Sequence, residues 1–257
     1  MKQLLERIAP KNRPHVLLFV ALGLSLLLWV LPFGKWVVYP FSLLVTWVHE
    51  MCQGLAAECV NFHFEKLILR PDAKASGEAM FVKLADSRFG TVVVASAGYL
   101  GSTLLGAAML LAKTRKKEVA VLEWLVVALA FSALFYGRTF FSFVALLSLA
   151  GALALLVVKG VDPWRTFVYD LVACQVCLNA LLDIRTLYSG DSGSDAMIVS
   201  RALFLPHWFW ASIWLAMSLA AFSGAIYVAL RASGTRLAPV ARGIVQDNVD
   251  AKSSKQE

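Results

Sequence analysis

Charge is scarce in this 257-residue chain: Asp, Glu, Lys and Arg together make up 16% of it, against 59% hydrophobic residues. Soluble domains carry about 25% charged and about 45–50% apolar residues, so the shortage excludes an ordinary water-soluble globule. The mean hydropathy of +0.69 points the same way. The charge that remains sums to +7, with its lysines and arginines scattered among short loops. That distribution fits basic loops and ends at anionic lipid surfaces and argues against a nucleic-acid-binding face. Cysteine is equally sparse. Cys52, Cys59, Cys174 and Cys177 all lie in apolar segments, which excludes the disulfide framework of a small secreted domain. Cys174 and Cys177 have C-x-x-C spacing without a surrounding βαβ pattern, and all four read best as small buried apolar residues. No A-x-A-like cleavage site follows the first apolar run, Val16 to Leu31, so that run is expected to span and not to be removed.

What the chain has in abundance is apolar segments of bilayer length, about 20 residues each. They fall at residues 15–33, 39–60, 89–112, 119–136, 139–158, 164–188 and 207–230. The expected fold is an all-α polytopic membrane protein of about seven transmembrane helices. Residues 1–14 form a basic N-terminal segment, 15–230 the membrane domain carrying the candidate site, and 231–257 a polar tail expected to be disordered. Between the second and third segments, residues 61–88 break the helical pattern. FHFEKLILRP partly alternates, Pro71-Asp72 and Ser76-Gly77 punctuate it, and Glu78 to Leu84 resembles a return strand. A short membrane-associated β-hairpin is expected there; an ordinary surface loop fits the pattern about equally. The 24 Lys and Arg residues split evenly between the two sides under seven spans, so charge alone does not orient the chain. The basic start against a nearly uncharged first loop favours an N-terminus on the inside.

His49-Glu50 lie deep in the second apolar segment, TWVHEMCQGLAAECV, and Asp183 in the sixth, CQVCLNALLDIRTLY. Ionisable residues at membrane depth are costly, which makes function their default reading. His-Glu with a ligand-capable residue four positions after the histidine is the layout of a zinc hydrolase helix. Two ligands one turn apart share a face, and the glutamate serves as general base. Here the fourth position is Gln53. His49 and Gln53 share one helical face, as do Asn179 and Asp183. An odd number of crossings between the two segments lets their helices run parallel, so these groups can meet. Hydrogen-bonded packing is the competing role for each of them. Asp191 and Asp195, in a Gly/Ser-rich loop, read as turn formers. Ala97 with Gly101, and Gly98 with Ser102, read as small faces for close helix packing.

HEMCQGLAA, the hairpin region after it, VASAGYLGS (Val94 to Ser102), CLNALLDI (Cys177 to Ile184) and GSDA (Gly193 to Ala196) resemble the site-2 protease clan of intramembrane zinc metallopeptidases, in its compact bacterial branch. The likeness extends from about Trp36 to Leu230. It implies zinc as cofactor, with His49 and Asp183 as metal ligands and Glu50 as the catalytic base. Asn179 would bind the substrate backbone or the oxyanion. The family's second histidine falls on Gln53, a weak neutral ligand; Cys52, on the neighbouring flank, and His63, in the hairpin, are the local substitutes. The implied activity is hydrolysis of peptide bonds in membrane-embedded or membrane-near substrates. The implied partners are the lipid bilayer and a transmembrane protein or peptide substrate, with no nucleic acid, in a bacterial inner (cytoplasmic) membrane. A pseudoprotease that binds membrane segments without cutting them is the alternative. A proton- or ion-coupled transporter is a more distant one, since the chain has no internal repeat and no matched pair of broken spans.

Overall fold

In the computed structural model, residues 14–73, 75–84, 87–162, 164–191 and 193–253 are described, with backbone alone from 233 onward. The basic segment expected at 1–14 lies outside them apart from Pro14. The helices are α1 (Pro14–Val30), α2 (Gly34–Cys59), α3 (Arg88–Thr114), α4 (Glu118–Phe135), α5 (Phe140–Lys159), α6 (Trp164–Thr186), α7 (Asp195–Leu203) and α8 (His207–Ser253). Between α2 and α3, strands β1 (Phe62–Leu69) and β2 (Gly77–Lys83) form an antiparallel two-stranded sheet. The all-α membrane class and the hairpin are thus both present.

The number of spans differs from the sequence expectation of about seven. Among the described residues, five helices are long and apolar enough to cross a membrane. A sixth span results only if α1 and α2, bent by 115° at their break, count as one. Pro32 explains the break: it has no N–H to continue the ladder of α1, and it disfavours helical backbone at Leu31. The polar residues of α2, Lys35, His49, Glu50 and Gln53, lower its hydropathy below that of an independent span. The short helix α7 was not anticipated. Ser194 caps it, accepting from the backbone N–H of Met197, and Phe204 closes it in left-handed conformation at φ 60°, a C-cap geometry more usual for Gly or Asn.

Helix α3 is the post around which the others pack, touching α2, α4, α6, α7 and α8. Its glycines are notches. A Cβ at Gly98 would fall 2.3 Å from the His49 ring, at Gly101 2.5 Å from Cys52 Sγ, and at Gly106 2.4 Å from Cys177 Sγ. The small faces read from the sequence admit α2 at close range, and Gly106, outside that reading, admits α6. Polar bonds fix the register: Thr103 Oγ1 donates to Ser218 Oγ of α8 at 3.0 Å, and the Tyr169 hydroxyl of α6 donates to Met109 O at 2.7 Å. Trp29 Nε1 donates to Gln175 Oε1 at 3.3 Å, tying α1 to α6.

The hairpin is clamped along β1. Leu67 N–H donates to Tyr136 O at 2.9 Å, and Leu69 N–H donates to Ser142 Oγ at 2.7 Å, docking β1 on the α4–α5 corner. Its turn is made by Asp72, whose carboxylate accepts from Ser76 N–H at 2.9 Å. Thr46 Oγ1 of α2 donates to Ala75 O at 2.7 Å, so the turn is held against the His-Glu helix.

At one end of α3, Lys113 forms an ion pair with Asp170 of α6, whose side chain is fully buried. Removing one partner of a buried pair strands the other charge, at a cost of about 3–5 kcal/mol, whereas an apolar pair of similar volume is close to neutral. Lys113→Met should therefore lower the unfolding midpoint in detergent markedly, and Lys113→Met combined with Asp170→Leu should recover most of it. Equal destabilisation by the single and the double variant would show that the pair does not act as a unit.

Candidate active site

A cavity of about 610 Å³ opens between α2, β2, α3 and the segment leading into α7. His49, Glu50 and Gln53 project into it from α2, Gly77 to Ala79 with Phe81 and Lys83 from β2, Tyr99 from α3, and Ser194, Asp195 and Ile198 from the start of α7. The α2 residues reach it because helical spacing puts His49 and Gln53 one turn apart on the same face.

Three polar termini converge there. Gln53 Nε2 lies 3.1 Å from His49 Nε2 and donates to Asp195 Oδ2 at 3.0 Å. His49 Nε2 and Asp195 Oδ2 are 3.5 Å apart. The amide assignment of Gln53 can be exchanged end for end without moving a heavy atom, so either its oxygen or its nitrogen can face the other two groups. Glu50 stands beside this triangle, buried, with Oε2 accepting from the Ala79 backbone N–H at 2.7 Å. That bond satisfies a carboxylate oxygen that would be costly to leave unpaired in an apolar surrounding.

The imidazole is held on its faces as well as at its tip. Tyr99 meets it edge-on, with ring centroids 4.5 Å apart and planes at 86°. Tyr99 in turn stacks on Trp214 of α8 at 5.3 Å, and its other neighbour at the site is the Asp195 carboxylate. Gly98, one residue before Tyr99, supplies the space the ring occupies.

The sequence-derived candidates separate into two groups. His49, Glu50 and Gln53 come together in the cavity. Asp183, on α6, lies close enough to His49 to interact with it electrostatically but does not line the cavity, and the carboxylate within hydrogen-bonding distance of Gln53 is that of Asp195. Cys52 is packed against Gly101, away from the cavity. Asn179 is buried with its Nδ2 unpartnered among the described residues, and it also does not line the cavity. His63, on β1, sits 3.3 Å from Glu58 at the surface. Asp191 is a turn former as expected, accepting from Gly193 N–H at 3.2 Å. Asp195 is more than that. The signal available for it was the string GSDA: a serine N-cap places the following aspartate in the first turn of a helix, where a carboxylate is favoured and its direction is fixed. Ala79 carried no distinguishing signal and Tyr99 only its place in VASAGYLGS, because their roles depend on which element packs against α2.

Among the described residues, no group of three or more His, Cys, Asp or Glu side chains could hold a metal ion; the triangle has two such residues and an amide. Its geometry depends on the Gly98 notch. Gly98→Ala should displace the His49 ring, at an overpacking cost of about 1–3 kcal/mol, and should disperse the triangle. The check is a thermal melt together with the His49 imidazole NMR signals. Unchanged signals at unchanged stability would mean that the ring is not confined by Gly98.

Comparison with known proteins identifies a family. A family model described as Peptidase M50B-like matches residues 17–225, which takes in α2, the hairpin, α3, α6 and α7. No curated protein and no solved structure matches the chain. With five spanning helices or six, a hairpin beside the His-Glu helix, and a family match over most of its length, the chain is an integral membrane protein that belongs to the Peptidase M50B-like family.

Proposed function

We propose that this protein is a site-2-protease-like intramembrane metallopeptidase, with His49, Gln53 and Asp195 as the metal-holding set and Glu50 as general base. The observation that carries the reading is the triangle of donor atoms with edges of 3.0, 3.1 and 3.5 Å. A tetrahedral zinc bound at about 2.0–2.1 Å keeps its ligands about 3.3 Å apart, so three protein donors already stand near the required spacing. The set fits zinc in geometry and only weakly in chemistry, because one imidazole and one carboxylate are joined by a neutral amide oxygen in place of a second imidazole. Asp183, the carboxylate expected from the sequence, lies near His49 on α6.

Zinc held there supplies Lewis acidity for amide hydrolysis. The chain's own groups do the remaining work. Glu50 accepts the proton of the attacking water, as a carboxylate next to the reacting atoms can. Tyr99 and Trp214 hold the His49 ring in one orientation. The hairpin supplies a means of aligning substrate. Because Leu67 and Leu69 turn their N–H groups away from β2, their partners Ala79 and Gly77 turn their own N–H and C=O groups away from β1, as residues of a non-hydrogen-bonded antiparallel pair do. These positions, with Phe81 and Lys83, line the cavity. An extended peptide lying on that edge would present its backbone beside Glu50 and the triangle. Substrates are accordingly membrane-embedded or membrane-near segments that can unwind, and by the family likeness the setting is a bacterial cytoplasmic membrane.

One observation favours a second reading. Gln53 Nε2, as placed, bonds both His49 and Asp195, closing the triangle with protein hydrogen bonds. A pseudoprotease would keep the peptide-binding cavity and leave the triangle in that closed form. Metal analysis of the purified protein separates the two. The peptidase reading expects zinc well below one per chain in the natural protein, a clear gain in Gln53→His, and loss in Asp195→Ala. If neither the natural protein nor Gln53→His takes up zinc, the pseudoprotease reading replaces it. In a cleavage assay, Glu50→Gln should lower turnover by roughly a hundredfold or more with zinc content and melting temperature nearly unchanged. Equal turnover in that variant would remove Glu50 from the mechanism.

A further inference from the structure

Between β2 and α3 the cavity is a trough, with the catalytic groups at one end and Lys83 at the other. At the near end Glu50 accepts from the Ala79 N–H at 2.7 Å, and the His49 ring meets Tyr99. At the far end Lys83 Nζ of β2 donates to Thr91 Oγ1 of α3 at 3.0 Å. Two rulers give the distance between the ends. Ala79 and Lys83 are four strand positions apart, about 13 Å. Thr91 and Tyr99 are eight helical positions apart, about 12 Å. We propose that Lys83 is a specificity residue: its ammonium receives a carboxylate of the bound peptide, from an acidic side chain or a free C-terminus, about three or four extended residues from the bond to be cut.

The inference rests on the peptidase reading for the bond that is cut, but recognition of a carboxylate by Lys83 does not require cleavage. Three features of the structure support it. First, the ammonium is held in place. It lies 5.5 Å from the centroid of the Phe62 ring, which stacks on Phe81 at 5.8 Å. Thr91 is itself fixed, donating to Ser87 O at 3.0 Å. A lysine near the end of a span ordinarily reaches outward for the headgroups; these contacts keep Lys83 on the cavity wall. Second, the ammonium has donors left over. Thr91 takes one of them with a neutral hydroxyl, and among the described residues no carboxylate lies within ion-pair distance of Lys83. The acidic residues of the cavity are engaged elsewhere: Glu50 with Ala79, Glu78 with Arg70, Asp191 with Gly193 and Asp195 with Gln53. Third, Lys83 alone among the described lining residues carries an ammonium or guanidinium group. A peptide carboxylate therefore meets a cationic side chain of this kind only at the far end, and holding it there decides which peptide bond lies beside Glu50.

The substrate class follows from the lining. Val94, Ala95, Leu187 and Ile198 give the trough apolar walls, so the segment is apolar and carries an aspartate, a glutamate or its own C-terminus close to the cut. Lys83 precedes α3, at the start of a span, so the carboxylate can stay near the headgroups and need not enter hydrocarbon. A segment with Lys or Arg in that place would bring like charges together and be disfavoured.

The test uses the full chain carrying Glu50→Gln, in nonionic detergent, so that binding is read without turnover. The probes are fluorescent, C-terminally amidated Leu/Val/Ala octapeptides containing one Asp or, in its place, Asn. The Asp peptide should bind roughly five- to tenfold more tightly than the Asn peptide, by a margin that shrinks as salt is raised. Lys83→Met should bind the two alike, Lys83→Arg should keep the preference, and Lys83→Glu should reverse it. The Asn peptide with a free C-terminus separates the two sources. Tighter binding than its amidated form assigns the terminal carboxylate to Lys83, and no gain assigns the acidic side chain. Equal or absent binding of the Asp and Asn peptides, or a preference that survives in Lys83→Met, would overturn the proposal. With Glu50 intact, moving the Asp along the peptide should move the cut with it at constant spacing; a cut that ignores the Asp would overturn the role in register. No cleavage of any peptide, with the Lys83-dependent preference as expected, would count against the peptidase reading alone.

Discussion

The closeness of α2 to α3 is the constraint on which the site depends. Without a side chain at Gly98, the His49 ring has a place to lie; without one at Gly101, Cys52 has its own. In the membrane there is little hydrophobic gain from bringing two helices together, so close van der Waals contact and a few interhelical bonds must provide the association. A glycine notch provides the contact and at the same time turns a flexible imidazole into one with a single orientation. Tyr99, the next residue on α3, and Trp214 behind it complete the enclosure. The packing that joins the helices and the packing that aims the histidine are the same set of atoms.

The hairpin is a second constraint, of a different kind. Lipid cannot satisfy backbone N–H and C=O groups, so non-helical segments at membrane depth persist only where protein or a water-lined cavity receives them. Here β1 gives its outward groups to the α4–α5 corner, and β2 gives one to Glu50. Thr46 holds the turn from the α2 side. The sheet therefore wedges between the His-Glu helix and the α4–α5 pair, and it reaches the cavity with an edge whose partner is supplied in part by a side chain.

Much of this was legible in the sequence. Apolar runs long enough to span gave the membrane class; alternation bracketed by Pro71-Asp72 and Ser76-Gly77 gave the hairpin; one-turn spacing put His49 and Gln53 on a common face beside Glu50. Span counting was less secure, because α1 and α2 are each marginal and Pro32 folds one back on the other, an angle that hydropathy does not encode. Asp183 carries the stronger sequence signal, since it lies within a long apolar segment. Asp195 follows a Gly/Ser-rich stretch in which aspartates ordinarily make turns, and only the packing of α7 on α3 and α8 carries it to Gln53. The bond from Glu50 to Ala79 could not have been read from the chain, because it joins a helix side chain to the backbone of a strand whose register is settled only by the β1–β2 pairing.

Gln53 and Asp195 are separated by 142 positions in the chain, and four long helices are synthesised between them. The cavity therefore has no complete triangle until α7 has been made, well after α2, the hairpin and α3 have entered the bilayer. During that interval the nascent protein already holds its histidine and its glutamate. It lacks the carboxylate that completes the triangle. With Asp195 on a late, short helix, the triangle closes only when one spanning helix, α8, remains to be made.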